Sequence, residues 1–347
     1  MKLKLRKLSR VLISLALVVT MAATSVLAVN AASTTTSARI YSNFKKSPAY
    51  KNFSEFKNLY VDSNSSIIPG LKNTNVNGVD CSTMVPQGIT AAKDYMFIAA
   101  YDSEDVCNSV IYVLSNTDVK NRKYLTTFIL PNKPHSGGMG FDGSYVCLAN
   151  GSSLSSFSYA TLDKKIKWAV ENKKKYVNIS YHSTIKVATT ASFMTCYDGT
   201  LFVGKFTKMG NDTAKMYAYS YSSDRKKLTK KYYMDMPDRT QGVCFKDGYM
   251  VISRSWETTT TEKDYISQLR VYKPKLSKVT NGVVSKGSLL KTITMPPMCE
   301  GLTLYGSYMY SGFESAATQY YKGTGSMAAC EYPVDRIVAY KWANVIG

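Results

Sequence analysis

Histidine is scarce in this chain, and the short motifs that mark several common active sites are missing. There are 2 histidines and 3 tryptophans among 347 residues. No HExxH, CxxC or GxSxG motif occurs. The sequence therefore lacks the usual patterns of a zinc protease, a dithiol redox centre and an α/β-hydrolase nucleophile. A dedicated transition-metal site is not expected.

Acidic residues are also few, with 24 Asp and Glu against 44 Lys and Arg, for a net charge of +20. Such a charge favours adhesion to polyanions, such as cell-wall polymers, anionic lipids or acidic glycans. A simpler explanation is that lysines in turns keep strand edges soluble, and we favour it for most of them. The sequence has no nucleic-acid-binding motif in which aromatic residues recur at a defined spacing to stack on bases, so no specific nucleic-acid partner is expected. The chain is expected to be monomeric.

Only one long apolar run occurs, and it lies at the N-terminus. A cationic stretch, residues 2–10, precedes an apolar one, residues 11–28. Small residues follow, so we predict a secretory signal peptide over residues 1–31, cleaved after Ala31 or, as a rival site, after Ala28. No later segment reaches the roughly 18 apolar residues of a membrane span. The mature chain is thus expected to be secreted or associated with the cell envelope.

The cysteine count is odd, so at least one of the seven is expected to remain free or to pair between molecules. Three are expected in inner strands as core thiols: Cys147, Cys196 and Cys244. The other four are expected in loops on one face, where they could stay reduced or form two disulfides in three possible pairings: Cys81, Cys107, Cys299 and Cys330.

A short sequence motif, called the repeated phrase below, occurs five times at intervals of roughly fifty to sixty residues. This spacing is typical of β-propeller blades. Each copy begins with a small or polar residue, which is usually followed by a glycine. An apolar run, a turn and a second apolar run come after it. The copies begin at Gln87, Gly137, Ser192, Gln241 and Glu300. We therefore predict an all-β, five-bladed propeller, with Asp-Gly turns at 142–143, 198–199 and 247–248 joining the two inner strands.

The fifth repeat reaches the end of the sequence after its third strand. Residues 65–72 resemble the outer run 127–131, and we predict that they complete blade 5 and close the ring. A sixth, degenerate blade is the alternative. The predicted division is a signal peptide (1–31), a polar segment (32–64) and one propeller domain (65–347). A short surface helix is expected within 163–178, and the longest insertion is 314–335.

Propeller topology brings the starts of the first strands and the ends of the second strands to one mouth, where ligand sites commonly lie. The innermost ring is expected to hold one residue per blade: Gln87, Gly137, Ser192, Gln241 and Glu300. Around it we expect Tyr101, Asp102, His135, Asn150, Lys205, Arg254, Trp256 and Glu314.

A structural role competes with ligand binding at several of these positions. Gln87 and Gln241 suit hydrogen bonding to neighbouring blades, and Arg254 could pair with Glu314 as a bridge between blades 4 and 5. For Glu300 the two roles are equally plausible. Glu300 with amide and carbonyl oxygens could contribute to a Ca²⁺ site, although one carboxylate makes a weak one. Asp102, Glu300 and Glu314 could instead supply a carboxylate pair for glycoside hydrolysis.

Four blade starts resemble those of secreted bacterial β-propellers of the broad lactonase and gluconolactonase-like superfamily. They are Val85-Pro86-Gln87-Gly88-Ile89, His135-Ser136-Gly137-Gly138, Thr240-Gln241-Gly242-Val243 and Cys299-Glu300-Gly301-Leu302. The resemblance spans roughly residues 86–341 and implies the fold. In gluconolactonase-type members, a Glu beside a blade-start Gly binds a divalent metal with Asn and Asp from other blades. Glu300 matches that Glu, whereas the other four blade starts do not supply the Asn and Asp.

The leading hypothesis is an exported binding module for a polar ligand, either an anionic small molecule or a glycan or cell-wall polymer. Its expected contacts are Gln87, Tyr101, Asp102, His135, Lys205, Gln241, Arg254, Glu300 and Glu314. The alternative is a lactonase- or glycosidase-like hydrolase, with Glu300 as the catalytic residue or as a ligand of Ca²⁺. A third possibility is an interaction scaffold that attaches through its basic surface.

Overall fold

The protein is a five-bladed β-propeller, as the repeat predicts. The computed structural model describes residues 39–210, 214–222, 224–255, 267–323 and 328–347. The chain divides into two units, residues 1–36 and 37–347, and all described residues lie in the second. Within the described residues, five sheets of four or five strands and one two-stranded hairpin account for the β structure. The predicted Trp256 contact lies outside the described residues.

The strands follow one another along the chain as the repeat requires. In chain order they are β1 (Ser66–Ile67), β2 (Thr74–Val76), β3 (Val79–Cys81), β4 (Met84–Ala92), β5 (Tyr95–Asp102), β6 (Val110–Ser115), β7 (Tyr124–Ile129), β8 (Met139–Phe141), β9 (Tyr145–Asn150), β10 (Ser153–Ser158), β11 (Tyr176–Asn178), β12 (Ser183–Lys186), β13 (Phe193–Tyr197), β14 (Thr200–Gly204), β15 (Lys215–Tyr221), β16 (Leu228–Asp235), β17 (Thr240–Lys246), β18 (Tyr249–Arg254), β19 (Ser267–Tyr272), β20 (Leu289–Met295), β21 (Cys299–Tyr305), β22 (Tyr308–Phe313) and β23 (Arg336–Lys341).

Each blade is an antiparallel sheet read from the axis outward. Blades 1 to 4 run β4-β5-β6-β7, β8-β9-β10-β12, β13-β14-β15-β16 and β17-β18-β19-β20. Blade 1 carries β11 as a fifth strand, parallel to β7. The parallel pairing is possible because a helix lies between β10 and β11 and returns the chain to the rim of blade 1.

Helices are short and lie outside the sheets. They are α1 (Pro48–Asn52), α2 (Ser54–Leu59), α3 (Tyr159–Glu171), α4 (Thr318–Tyr321) and α5 (Trp342–Ile346), with 3₁₀ turns at Phe44–Lys46 and Asp62–Asn64. The surface helix expected within 163–178 is α3, which begins four residues earlier. Its Leu162, Ile166 and Ala169 are buried while Trp168 is exposed, as an amphipathic helix requires. None of the described helices is long and apolar enough to span a membrane.

The ring is closed by the N-terminal strand, as expected. Blade 5 runs β21-β22-β23-β1, and Ser66 and Ile67 of β1 pair with Ile337 and Arg336 of β23. The backbone N–H of Ile68 continues this edge by donating to Asp335 O at 3.0 Å. Only two of the eight residues expected to form the strand are in regular pairing. The chain then turns away at Gly70, whose φ of 75° is one that glycine adopts readily.

The innermost strands of neighbouring blades approach backbone to backbone. A Cβ on Gly138 would lie 2.2 Å from the amide nitrogen of Met194, and one on Gly242 would lie 2.6 Å from Glu300 O. These separations are well below van der Waals contact, so the glycines of the repeated phrase allow five blades to meet around a narrow axis.

The segment before β1 is polar in composition but contributes to the core. Phe44, Phe53 and Phe56 are buried in the hydrophobic cluster of blades 4 and 5. Phe56 meets the ring of Phe313 edge to face, with centroids 6.3 Å apart. The described part of the N-terminal segment, residues 39–64, therefore packs against blades 4 and 5. The division between a polar segment (32–64) and the propeller domain (65–347) stays a prediction.

The cysteines all carry free thiols in this structure. Cys147, Cys196 and Cys244 lie in β9, β13 and β17, the inner strands that were expected; Cys147 and Cys244 are buried, whereas Cys196 is half-buried. Cys107 and Cys330 lie in loops, whereas Cys81 ends β3 and Cys299 begins β21. The loop assignments of Cys81 and Cys299 were wrong: Cys81 ends a short hairpin strand, and β21 begins at Cys299, three residues before the apolar run that starts at Leu302. The side chain of Cys299 is fully buried.

Candidate functional site

Three blades begin with a bulge that places a polar residue at the mouth. The strand register shifts between Pro86 and Ile89, between Thr240 and Gly242, and between Cys299 and Leu302. In each case the polar residue of the repeated phrase occupies the irregular position, together with the adjoining glycine in blades 1 and 5, whereas Gly242 of blade 4 is paired with Ser253. Bulges of this kind re-aim a side chain while the strand continues. They explain how Gln87, Gln241 and Glu300 can face one another inside a sheet-built ring.

Two buried carboxylates form the centre of the cluster, and blade 5 supplies both. Glu300 stands in the bulge of β21 with 1% of its surface exposed, and Glu314 follows the last residue of β22 with 5% exposed. The backbone N–H of Glu314 donates to Met298 O at 3.2 Å, which fixes the end of β22 against the start of β21. Both carboxylates therefore have positions set by strand ends rather than by a long loop.

Glutamines from the two flanking blades hold these carboxylates. Gln241 Nε2 of blade 4 donates to Glu300 Oε1 at 3.1 Å, and Gln87 Nε2 of blade 1 donates to Glu314 Oε2. Hydrogen bonds from such donors partly offset the cost of burying a carboxylate. Four of the nine predicted contact residues thus form two hydrogen-bonded pairs, Gln241–Glu300 and Gln87–Glu314, which come from three blades; we refer to the two pairs together as the carboxylate network.

Aromatic rings border the carboxylates on the side of blade 1. Tyr101, the penultimate residue of β5, stacks on His135 with ring centroids 4.2 Å apart and an interplanar angle of 37°. Gln319 Nε2 donates to the Tyr101 hydroxyl at 3.4 Å, and Tyr320 is buried beside Tyr101 in the same apolar cluster. The mouth therefore combines fixed polar groups with a ring face.

Burial has the largest effect on the pKa values of these three rings, and the charges of the carboxylates add to it for the two tyrosines. Burial raises the pKa of Tyr101, and the charge of Glu314 adds to the increase. The pKa of Tyr320 is raised for the same reasons, with contributions from Glu314, Tyr101 and Glu300. Loss of water around the imidazole lowers the pKa of His135, although part of its surface is exposed at the rim. All three rings are therefore neutral near pH 7.

Asp102 belongs to a separate cluster and has a structural role there. Its Oδ1 accepts from Thr83 Oγ1 at 2.6 Å and from Glu104 N at 3.1 Å, and its Oδ2 accepts from Val106 N at 2.9 Å and Cys107 N at 2.8 Å. Burial alone would raise the pKa of Asp102, but these hydrogen bonds outweigh it and hold the pKa below its usual value.

Arg254 forms a buried ion pair. Its Nε donates to Asp238 Oδ1 at 2.8 Å and to Asp238 O at 3.1 Å, and its Nη2 also contacts Oδ1. Gly210 N donates to the other carboxylate oxygen at 2.9 Å. Burial would raise the pKa of Asp238, but the Arg254 hydrogen bond outweighs it and lowers the pKa. Asp238 therefore compensates much of the positive charge that we expected Arg254 to offer an anionic ligand.

The remaining positions are spread around the ring. Lys205 is exposed directly after β14, at the position that corresponds to Arg254 in blade 4. Asn150 donates to Ser155 Oγ at 2.9 Å within blade 2. Ser192 closes the strand pair with Gly204, its N–H lying 2.9 Å from Gly204 O, and a Cβ on Gly137 would strike Ser192 O. The polar part of the mouth is thus concentrated on blades 4, 5 and 1.

Comparison with known proteins adds little beyond the propeller architecture. No family model matches the sequence, and no curated protein matches it. Among solved structures, the chain is similar to Myxococcus xanthus glutaminyl cyclase, with a TM-score of 0.42, 9% identity, and coverage of 80% of this chain and 95% of that chain. It is also similar to a functionally unknown protein from Desulfotomaculum acetoxidans DSM 771, with a TM-score of 0.35, 10% identity, and coverage of 66% and 62%. Such likeness does not assign an activity.

A divalent metal at Glu300 would need more oxygen ligands than the cluster's side chains supply. Ca²⁺ takes six to eight oxygens, usually including several carboxylates. Glu300 and Glu314 are the carboxylates here, and their glutamine neighbours approach them with amide nitrogens, which cannot coordinate a cation. Among the described residues, the group of three potential ligand side chains that gathers within 4.8 Å lies elsewhere, at Cys81, Asp102 and Cys107. The side chains at the mouth therefore do not fit the metal that the resemblance implies.

Three contributors to the site were missed by the sequence analysis. Gln319 and Tyr320 lie in α4, inside the insertion that was expected to be a loop, and Asp238 precedes β17. The sequence of this insertion has no periodicity that identifies which of its residues turn inward. An Asp 16 positions before an Arg, at opposite ends of one hairpin, is the only signal for the Asp238–Arg254 pair, and such spacing is common by chance.

Proposed function

We propose that the protein binds a hydroxyl-rich ligand of the glycan class at the mouth formed by blades 4, 5 and 1. The observation that carries this proposal is the pair of buried carboxylates, Glu300 held by Gln241 and Glu314 held by Gln87, at the mouth that Tyr101 also lines. Planar carboxylate and amide groups held in place can meet the fixed hydroxyls of a sugar, and an aromatic face can cover its apolar C–H surface.

The charge of the network favours a neutral or amino-bearing glycan over an anionic one. An anionic group placed against Glu300 and Glu314 would meet two negative charges at short range in a partly desolvated site. Lys205 and Arg254 are the cations that we expected to attract an anion, and Arg254 is paired with Asp238. A carboxylate oxygen accepts more than one hydrogen bond, so ligand hydroxyls can join the network while the glutamines remain in place.

Export to the cell surface or the medium forms part of the same proposal. The cationic and apolar leader predicts it, and a cell-wall glycan would be the partner available there. Mass spectrometry of the protein recovered from the medium tests this. An N-terminus at Ala32 or Val29 supports export with cleavage, whereas an intact leader in the cell interior contradicts it.

Titration calorimetry with a tetramer of N-acetylglucosamine and with a uronic acid tetramer tests the ligand class. We expect the neutral tetramer to bind and Glu314→Gln to weaken it about 10- to 100-fold, since hydrogen bonds to a charged group contribute roughly 1.5 to 3 kcal/mol. Glu171→Gln, an exposed glutamate at the end of α3, is the matched control and should leave binding unchanged. Absence of binding by both tetramers, or equal affinities for the Glu314 variant and the parent, would contradict the proposal.

Hydrolysis is the second candidate, and the presence of two buried carboxylates at one mouth favours it. Glycosidases use a pair of carboxyl groups as acid and base or nucleophile, and Glu300 and Glu314 are the residues able to act so. Incubation with glycan oligomers and with a δ-lactone, with and without EDTA, should then yield product that Glu300→Gln abolishes. Equilibrium dialysis with Ca²⁺ shows separately whether an ion takes part. If none of these substrates yields product, hydrolysis is contradicted and binding remains the proposed function.

A further inference from the structure

Two cysteines meet at the rim of blade 1. Cys81 ends the hairpin β2–β3, and Cys107 lies in the loop between β5 and β6, which follows Tyr101. Both side chains are buried in the cluster between blades 1 and 5. Their sulfurs lie within 4.8 Å of each other, and Cys81 Sγ also lies 3.6 Å from Thr83 Oγ1.

The surrounding hydrogen bonds hold both cysteines in place. Ser103 N donates to Thr83 O at 3.1 Å, which ties the segment after Cys81 to the start of the loop. Thr83 Oγ1 donates to Asp102, and Asp102 accepts from the N–H of Cys107 itself. This short polar network therefore connects Thr83, two residues after Cys81, to the backbone N–H of Cys107, and it holds the two cysteines near each other.

Asp102 is a poor third ligand for a metal at this position. Each of its carboxylate oxygens already accepts two hydrogen bonds, three of them from backbone N–H groups that would lose their partner if the carboxylate turned to a cation. A structural zinc site needs four ligands, and two thiols alone do not supply them. The arrangement is that of a dithiol pair rather than of a metal centre.

We propose that Cys81 and Cys107 form a disulfide bond when the protein meets an external disulfide. The Cys81 or Cys107 thiolate attacks a sulfur of the external disulfide, and a mixed disulfide forms while one external thiol leaves. The second cysteine then attacks the protein sulfur of that bond and releases the other external thiol. The protein loses two protons and two electrons, and the external disulfide is reduced to two thiols.

The other cysteines are placed differently. Cys299 packs in the cluster of blades 4 and 5, while Cys330 packs with Tyr320 beside the mouth. Cys147 and Cys196 form a second close pair, but they lie within the inner strands β9 and β13, where blades 2 and 3 pack against each other. Of the pairings open to Cys81, Cys107, Cys299 and Cys330, the structure favours Cys81 with Cys107.

The bond would join the hairpin before blade 1 to the loop that follows Tyr101. A disulfide stabilises the folded state mainly by restricting the unfolded chain, and the loop it closes here is of moderate length. We expect the melting temperature to rise by about 5 °C or more on oxidation. This consequence does not depend on the ligand bound at the mouth.

Peptide mapping of the full chain after incubation with oxidised glutathione at pH 8.5 tests the proposal. Burial raises the pKa of Cys81 to about 12, so exchange in the native state will be slow, and refolding from urea in the same glutathione buffer provides a second measurement. We expect a cross-linked Cys81–Cys107 peptide and a higher melting temperature that a dithiol reductant reverses.

The variants Cys81→Ser and Cys107→Ser should both abolish the shift, whereas the matched control Cys244→Ser, a buried core thiol in β17, should retain it. Alkylation of both cysteines after either treatment would overturn the proposal. So would glutathione adducts without the cross-link, or a zinc adduct that protects both thiols in native mass spectrometry. Because the readout is the cross-link, its failure is independent of any result on glycan binding.

Discussion

The two-residue strand β1 allows a direct test of how the propeller ring is closed. Ile67 and Ile68 are adjacent in the chain, but Ile67 is 42% exposed and Ile68 is 1% exposed. Ile68 packs in the cluster that also contains Ile337 of blade 5 and Tyr112 of blade 1. Truncation of one isoleucine should therefore affect the joint between the first and last blades, and truncation of its neighbour should not.

The magnitude follows from the three carbon atoms that Ile→Ala removes. At about 0.8 kcal/mol for each buried carbon the transfer loss is about 2.5 kcal/mol, and a residual cavity brings the total to about 3 to 4 kcal/mol. For a domain of this size we expect Ile68→Ala to lower the melting temperature by about 5 to 6 °C. Ile67→Ala should change the free energy of unfolding by less than about 1 kcal/mol, because most of what it removes already faces water.

Differential scanning calorimetry of the two variants beside the parent provides the measurement. Equal shifts for Ile67→Ala and Ile68→Ala would refute the reasoning, because the difference depends only on which face of the closing strand is buried. A shift of less than about 2 °C for Ile68→Ala would show that β1 does not hold the ring together.

Three further predictions concern stability. Gly138→Ala should cost about 3 kcal/mol or more in urea denaturation, because its Cβ would strike the backbone of Met194, which cannot move aside; a parent-like midpoint would contradict this. Asp102→Asn should lower stability by about 2 kcal/mol at pH 7. The Asp102 contribution should be fully present above the ordinary carboxyl pKa of 3.8 and disappear as the pH falls through the lower folded pKa, so parent and variant should converge in acid. Arg254→Met should cost about 3 kcal/mol, because Asp238 stays buried without its hydrogen-bonded cation and with only the ion pair to Arg239, whose Nε lies 3.6 Å from Asp238 Oδ2; Asp238→Asn in the same chain should recover part of that loss in chemical denaturation.

Acidic residues on the face of the mouth have different roles in the structure. Asp102, Asp238 and Glu314 were comparable as acidic residues in the sequence. In the structure, Asp102 accepts hydrogen bonds from a loop and Asp238 neutralises an arginine, whereas Glu314 accepts a hydrogen bond from Gln87 at the mouth. The candidate site is therefore narrower than the set of nine residues that the repeat placed on this face, and it is more acidic.

Much of the propeller could be predicted from local pattern alone. The apolar runs, the Asp-Gly turns and the repeated Gly phrase specify strands, hairpins and close strand contacts within about fifty residues of one another, so five blades and their order follow without distant information. The closing strand was also predictable, because a blade without an outer strand leaves an unpaired edge that some other segment must cover.

Contacts between segments far apart in the chain were decided only by the tertiary structure. Gln87 and Glu314 are separated by 227 positions, and no local pattern could show that they share a hydrogen bond. The same holds for Tyr101 with Tyr320, and for the aromatic segment before β1, whose burial depends on a surface formed by blades 4 and 5. Hydrophobic periodicity records which face of a strand is buried, whereas the partner of a polar side chain depends on how the blades are brought together. The sequence therefore determined the ring and the ring positions, and the packing of blade against blade determined which of those positions form a site.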